Sequence, residues 1–351
     1  MYFLYVQRKH QNVLMGWDIQ KKKKDNLIKL TGYKEKYEKI IVDPDSLDDV
    51  IKKIKECINK SNGELRSDEI IIDYTGGTKT MSAGAVFVGL LEKDVKVSLT
   101  KGDRSDIFKA SGEPITELID TEYIKIENMK NLVNEMISHY LYTSAKMLLK
   151  RFLANQTISD KSKREIEERI KVVSIFEYWD KFNHNEAYEI FRKYNSIRER
   201  YNEHFNYILK ILGRIKNSGY ELLFDLIKNS ERKAYNNNYD DAVARIYRSI
   251  ELFLQIRCKD LKLNVPKIGL EGLYESLMEK DEKLKDTLEE YKGKIKHKIS
   301  LRNESILAHG IKSISENEYL DIKSIFDEFI NKCFEKINVR IEYPPEFPKQ
   351  I

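Results

Sequence analysis

A change of character near Thr121 limits most strongly what this chain can become. Before it, short runs of β-branched and aromatic residues alternate with helix-like stretches; after it the strand signals stop and long amphipathic patterns take over. Residues 2–6, 39–42, 69–73 and 95–99 each read as a strand. Their apolar residues are continuous rather than alternating, which predicts strands covered on both faces and therefore a parallel sheet. A helix is expected from about Asp45 through Val50, Ile51, Ile54 and Ile58, with Ser46 and Asp49 as an approximate capping box. A second is expected from about Thr80 to Leu91. Strand, helix, strand, helix is the order of an open doubly wound, Rossmann-like sheet.

The later part predicts helices over residues 129–152, 163–176, 220–236, 240–261 and 315–337, an all-α domain. The expected division is an α/β domain over 1–125, a helical domain over 126–343 and a tail over 344–351 that carries Pro344, Pro345 and Pro348.

Composition removes several functions. Charged residues make up 34%, but 62 Lys and Arg stand against 57 Asp and Glu, a net +5. Such a balance permits nucleic-acid binding without arguing for it, because phosphate affinity follows local clusters. Cys57, Cys258 and Cys333 lie far apart with no CxxC pair, and the six histidines show no metal-ligand spacing. Neither a disulfide framework nor a bound metal is expected, which fits a reducing compartment. No apolar run approaches ~18 residues and no secretory pattern opens the chain, so a cytoplasmic protein without membrane contact is expected. The run Lys21-Lys22-Lys23-Lys24 reads as an exposed loop.

Asp73-Tyr74-Thr75-Gly76-Gly77-Thr78-Lys79-Thr80-Met81-Ser82 leaves a strand and enters a helix. Ligands of open α/β sheets bind at the carboxyl ends of strands. Paired glycines let the backbone approach a ligand, and the following helix offers free N–H groups and the positive end of its dipole. Thr75, Thr78 and Ser82 add hydroxyls and Lys79 a charge, so the segment reads as a phosphate or nucleotide cradle. It matches neither GxxxxGK[ST] nor GxGxxG, which disfavours an ATPase or a nicotinamide dehydrogenase.

The second candidate is Leu301-Arg302-Asn303-Glu304-Ser305-Ile306-Leu307-Ala308-His309-Gly310. Arg302 and His309 are seven residues apart, so on one helix they would share a face. Gly310 would stand just past the helix end, with His309 in the last turn. Metal-free RNA cleavage needs a cation on the scissile phosphate and a group of near-neutral pKa to move protons. Arginine and histidine suit those roles, and Asn303 can orient a substrate oxygen or the histidine. Spacing alone says little, because an Arg and a His at i, i+7 recur by chance in many helices.

Three segments together carry a family resemblance. Arg302 to His309 resembles the R-x(4–6)-H motif of HEPN ribonucleases. Asp73 to Ser82 resembles the D-x-T-G-G-T-K-x-M-S segment of CARF domains. Tyr239-Asp240-Asp241-Ala242-Val243-Ala244-Arg245-Ile246-Tyr247-Arg248-Ser249-Ile250-Glu251 is similar to the early HEPN helix of the same proteins. They occur in the order found in CRISPR-associated CARF–HEPN ribonucleases of type III systems. The resemblance implies a Rossmann-like CARF domain followed by an all-α HEPN domain. It implies a cyclic oligoadenylate activator, with tetra-adenylate favoured, bound by Thr75, Gly76, Gly77, Thr78, Lys79 and Ser82. It implies cleavage of single-stranded RNA, not DNA, by Arg302, Asn303 and His309, with no catalytic cofactor and with a homodimer formed through both domains. The alternatives are a CARF-type sensor or dimerisation module without nuclease activity, and a ring nuclease that degrades the oligoadenylate. The chain opens on what resembles the family's second strand, so the CARF domain is expected to lack its first strand–helix unit and to leave a strand unpaired at an edge.

Overall fold

The computed structural model describes residues 3–7, 12–16, 37–62, 70–92, 95–106, 109–263, 269–303, 305, 307 and 310–351. The chain divides into two compact units. Unit 1 comprises Met1–Val133 and Met147–Ile166; unit 2 comprises Asn134–Lys146 and Glu167–Ile351.

Unit 1 is α/β. Its strands are β1 (Phe3–Gln7), β2 (Asn12–Gly16), β3 (Tyr37–Ile40), β4 (Ile71–Asp73), β5 (Lys96–Asp106) and β6 (Lys109–Ile119), in the sheet order β3-β2-β1-β4-β5-β6. The sheet is mixed, not parallel as expected. β2 with β3 and β4 with β5 run parallel, whereas β1 is antiparallel to β2 and β4, and β6 to β5. Nor is β1 an edge: it is paired on both sides. β2 and β6 were not foreseen. β6 carries Gly112 and Pro114 and lies at the sheet's margin, where a missing N–H donor is tolerated.

Helices α1 (Leu47–Asn62) and α2 (Lys79–Leu91) supply the rest of this core. Val50, Ile54 and Ile58 of α1 and Met81, Ala85 and Val88 of α2 meet Ile70, Ile72 and Val95. A Cβ at Gly89 would overlap the Val97 side chain, so α2 can approach the sheet this closely only because residue 89 is glycine. The box at the start of α1 forms by half. The Ser46 hydroxyl accepts from the Asp49 N–H (3.3 Å), but the Asp49 carboxylate turns to the N–H of Asp43 (2.8 Å).

The boundary between the units falls within α3 (Glu122–Ser138), α4 (Tyr142–Asn155) and α5 (Asp160–Asp180). The single helix expected over 129–152 is broken at Tyr140, which takes a left-handed φ of 57°. There Tyr140 N–H donates to Ile137 O and Leu141 N–H to Met136 O, the two bonds of a Schellman turn.

Unit 2 is all helical among the described residues, apart from an isolated bridge between Ser305 and Lys312. It continues through α6 (His184–Lys193), α7 (Asn195–Arg200), α8 (Asn202–Ile211), α9 (Glu221–Tyr235), α10 (Tyr239–Asp260), α11 (Leu270–Lys280), α12 (Lys285–Asn303) and α13 (Glu316–Ile337). Phe224, Phe253, Phe329, Phe334, Leu254 and Ile330 lie at its centre. The chain returns at its end: Phe347 is buried against Tyr142, Phe176 and Trp179.

A buried polar network ties these helices together. The fully buried Asp225 accepts from Trp179 Nε1 (3.0 Å) and lies 2.9 Å from His184 Nε2. Arg232 Nε and Lys233 Nζ donate to the Asp180 carboxylate at 2.8 and 2.7 Å. Burial by itself pushes the Asp180 carboxyl up, but Arg232 and Lys233 outweigh it and hold the group below its ordinary range. Asn229 joins Asp180 to Arg245, whose guanidinium also binds Asp241 of its own helix (2.7 Å).

Candidate functional site

The glycine loop follows β4, whose Asp73 organises it. One Asp73 oxygen accepts from the N–H of Thr75 (3.0 Å) and the other from the Ser98 hydroxyl on β5 (2.7 Å). Thr75 Oγ1 accepts from the N–H of Thr100 (2.6 Å), and Tyr74 N–H donates to Ser98 O (3.1 Å). The loop is thereby stitched to β5. Gly77 takes a φ of +113°, which L side chains rarely adopt, and a Cβ there would stand 3.1 Å from Met81 Cβ.

Thr78 is the N-cap of α2. Its hydroxyl accepts from Met81 N–H (3.2 Å) and donates to Pro44 O (2.7 Å), which holds the loop beside the turn before α1. Ser82 donates to Tyr74 O (3.3 Å). The hydroxyls of Thr75, Thr78 and Ser82 thus have internal partners. Gly76 and Gly77 are half-buried, and Lys79 is exposed at the first position of the helix. The surface that remains for an anion is backbone N–H and the Lys79 ammonium at a positive helix end.

In unit 2, Arg302 and Asn303 are the last two residues of α12. The single helix expected to carry both Arg302 and His309 does not form. Ser305 already pairs in a parallel bridge with Lys312, and Gly310 N–H donates to Ser305 O (3.2 Å). With α12 ended at Asn303, the seven-residue spacing no longer places Arg302 and His309 on one helix. His309 and the run Lys21–Lys24 lie outside the described residues, as do the side chains of Arg302 and Asn303.

The far end of this loop is fixed from two sides. Ile314 N–H donates to both oxygens of Asp240 in the first turn of α10 (3.3 Å each). Ser315 and Glu318 form a complete capping box on α13. The Ser315 N–H, with Lys312 and the Ser315 hydroxyl, holds the Glu318 carboxyl down to about 2.

Comparison with known proteins separates the two units. Residues 211–264 and 259–332 match the family described as Csm6 HEPN domain. A solved structure, Enterococcus italicus Csm6 bound to cyclic hexa-2′-fluoro-hexa-dAMP, is similar to this chain with a TM-score of 0.54. The fold is Csm6-like. Identity to that structure is 11%, over 88% of this chain and 79% of the other. No curated protein matches. The architecture of a mixed α/β part followed by a helical HEPN-type part agrees with the sequence expectation. The Csm6 HEPN match contains α9 to α12, the Arg302 loop and most of α13. Sequence reasoning missed Asp240 as the tether of that loop; its position in the first turn of α10 was the available signal, because an acidic residue there suits the helix dipole.

Proposed function

We propose that this chain is a metal-independent endoribonuclease of the CARF–HEPN type, switched by a cyclic oligoadenylate in CRISPR type III defence. The match of residues 211–332 to the Csm6 HEPN family, with Arg302-Asn303 ending α12 inside it, carries the reading. In this reading the ribose 2′-oxygen attacks phosphorus and the 5′-oxygen leaves. The products are a 2′,3′-cyclic phosphate and a 5′-hydroxyl. His309 moves the proton between the two oxygens, Arg302 offsets charge on the non-bridging oxygens, and Asn303 orients the substrate or the histidine. Two copies contribute to one composite centre, so activity needs a homodimer, and the enzyme works in the cytoplasm.

The sensor occupies roughly the first 125 residues. Backbone N–H groups of Gly76 and Gly77, with Lys79, face the ring phosphates, and Thr75, Thr78 and Ser82 hold the loop in register for them. Cyclic tetra-adenylate is the favoured activator. The solved relative carries a six-unit analogue, so both ring sizes belong in the test.

The test incubates labelled single-stranded RNA with the protein in excess EDTA, alone and with cyclic tetra- or hexa-adenylate. Cleavage that needs one of the rings and leaves cyclic phosphate ends is expected. Loss of cleavage in EDTA, or products with 5′-phosphate ends, overturns the chemistry. Loss of the ring itself in an Arg302→Ala, His309→Ala protein would assign ring cleavage to the N-terminal site.

A further inference from the structure

Helices α6 and α7 lie before residue 211, where the Csm6 HEPN match begins; together with α8 and the turn after it, which enter that match, they carry an unusual surface. Arg214 lies over the ring of Tyr188 at 3.9 Å. Tyr188 stacks on Phe205 with 6.0 Å between centroids and 11° between planes, and Arg198 lies over Phe205 at 5.8 Å. The result is one column: cation, ring, ring, cation. Lys171 and Lys193 both lie over Tyr194, and Arg200 over Tyr201.

These cations are not neutralised. Among the described residues, Lys171, Lys193, Arg198, Arg200 and Arg214 have no carboxylate partner, whereas neighbouring Arg192 is paired with Glu189. Residues 184–216 hold seven Lys and Arg against four Asp and Glu, a local excess that the whole-chain +5 conceals. The outer member of the column is held in place by its backbone. Gly213 takes a φ of +64°, and Arg214 N–H donates to Leu209 O (2.9 Å), closing a Schellman turn after α8. Arg214 itself is exposed, and Tyr188, Phe205 and Arg198 are half-buried.

Guanidinium groups over aromatic rings, beside cations with no carboxylate partner, suit one class of partner. Single-stranded nucleic acid offers bases that stack on arginine or aromatic planes and phosphates that pair with cations; a duplex hides its bases. We propose that the face centred on the Arg214–Tyr188–Phe205–Arg198 column binds single-stranded RNA. A base stacks on the exposed Arg214, and Lys193 and Arg200 take phosphates. The inference rests on the ribonuclease reading only for the identity of the strand as substrate.

Binding separates the two ideas. A fluorescein-labelled 2′-O-methyl oligonucleotide has no free 2′-hydroxyl, so it cannot be cut, and anisotropy reports its affinity for the full chain across a salt series. Arg214→Ala is expected to weaken binding roughly five- to tenfold and to flatten the salt slope by roughly 0.7. Arg214→Lys should keep the slope but not the affinity. A self-complementary duplex should bind less tightly than the single strand. Wild-type affinity and slope in Arg214→Ala overturn the proposal, as does failure of the parent protein to bind. Intact, Arg214-dependent binding with no cleavage of ordinary RNA upholds this surface and refutes only the nuclease.

Discussion

The two units are held together by different chemistry. The buried residues of the hydrophobic core described for unit 1 are valine, isoleucine, alanine, methionine and one cysteine, with Tyr74 packed against them from its margin. Its polar bonds lie outside that core, in the loops around Asp73 and Thr78. Unit 2 places charged and polar groups inside: Asp225, Asp180 and Arg232 are buried together with the His184 ring, beside stacked aromatic rings. Aliphatic contacts are non-directional and can shift by small steps. A buried ion cannot shift without leaving its partner unpaired in a medium of low dielectric. In the proposed reading, aliphatic packing suits a sensor that must change on binding its ligand, and a buried ion network suits a nuclease that must keep its groups in register.

Four substitutions can break or sharpen this contrast. His309→Ala should lower RNA cleavage by about a thousandfold while unit 1 binds cyclic oligoadenylate with parental affinity. Unchanged turnover would remove His309 from the chemistry. Asp225→Ala should destabilise unit 2 by about 3–5 kcal/mol, because Trp179 and His184 lose the carboxylate they share and the Arg232 guanidinium, 3.7 Å from it, loses a nearby counter-charge. Chemical denaturation followed by Trp179 fluorescence measures it, and a loss below about 1 kcal/mol would show the network to be dispensable. Gly77→Ala should cost about 1–3 kcal/mol in the loop and weaken ring binding, with melting of unit 2 unaffected. Calorimetry with the cyclic ligand decides this, and parental affinity would mean that the loop does not touch it. Lys79→Ala should raise the activator concentration for half-maximal cleavage several-fold at low salt, an effect of about 1 kcal/mol. Equal activation curves for mutant and parent would rule the ammonium out.

What could be read in the sequence is itself uneven. The switch from β-branched runs to amphipathic helices is visible because it depends on local periodicity. So is the start of α13, where Ser315 and Glu318 satisfy a local rule. Helix ends were harder. Tyr140, Phe182, Asn237, Lys262 and Asn338 all take left-handed φ values between 55° and 61°, and each closes a Schellman turn. Tyrosine, phenylalanine and lysine are not the residues expected there, so the break between α3 and α4 left no local mark. The Arg302 segment misled for a related reason: the pairing of Ser305 with Lys312 is not a helical repeat, and nothing in the spacing of Arg302 and His309 announces it. In the glycine loop the residue types were visible but their partners were not. Thr100 and Pro44 lie 25 and 34 residues away from the hydroxyls they engage.

The position of β1 also has a consequence in time. Its partner β4 begins 64 residues after the end of β1, at Ile71. At a synthesis rate of about 5–20 residues per second, the ribosome takes roughly 3–13 s to make that stretch. The neighbouring β2 is made almost at once, and a hairpin closes in about 1–10 μs. Within that stretch β3 is also made and covers the far side of β2, so until β4 appears the β3-β2-β1 sheet keeps its β1 side open, a template for pairing with another chain. Crowded polysomes at high expression should expose that window, and slower initiation, which spaces the nascent chains apart, should narrow it.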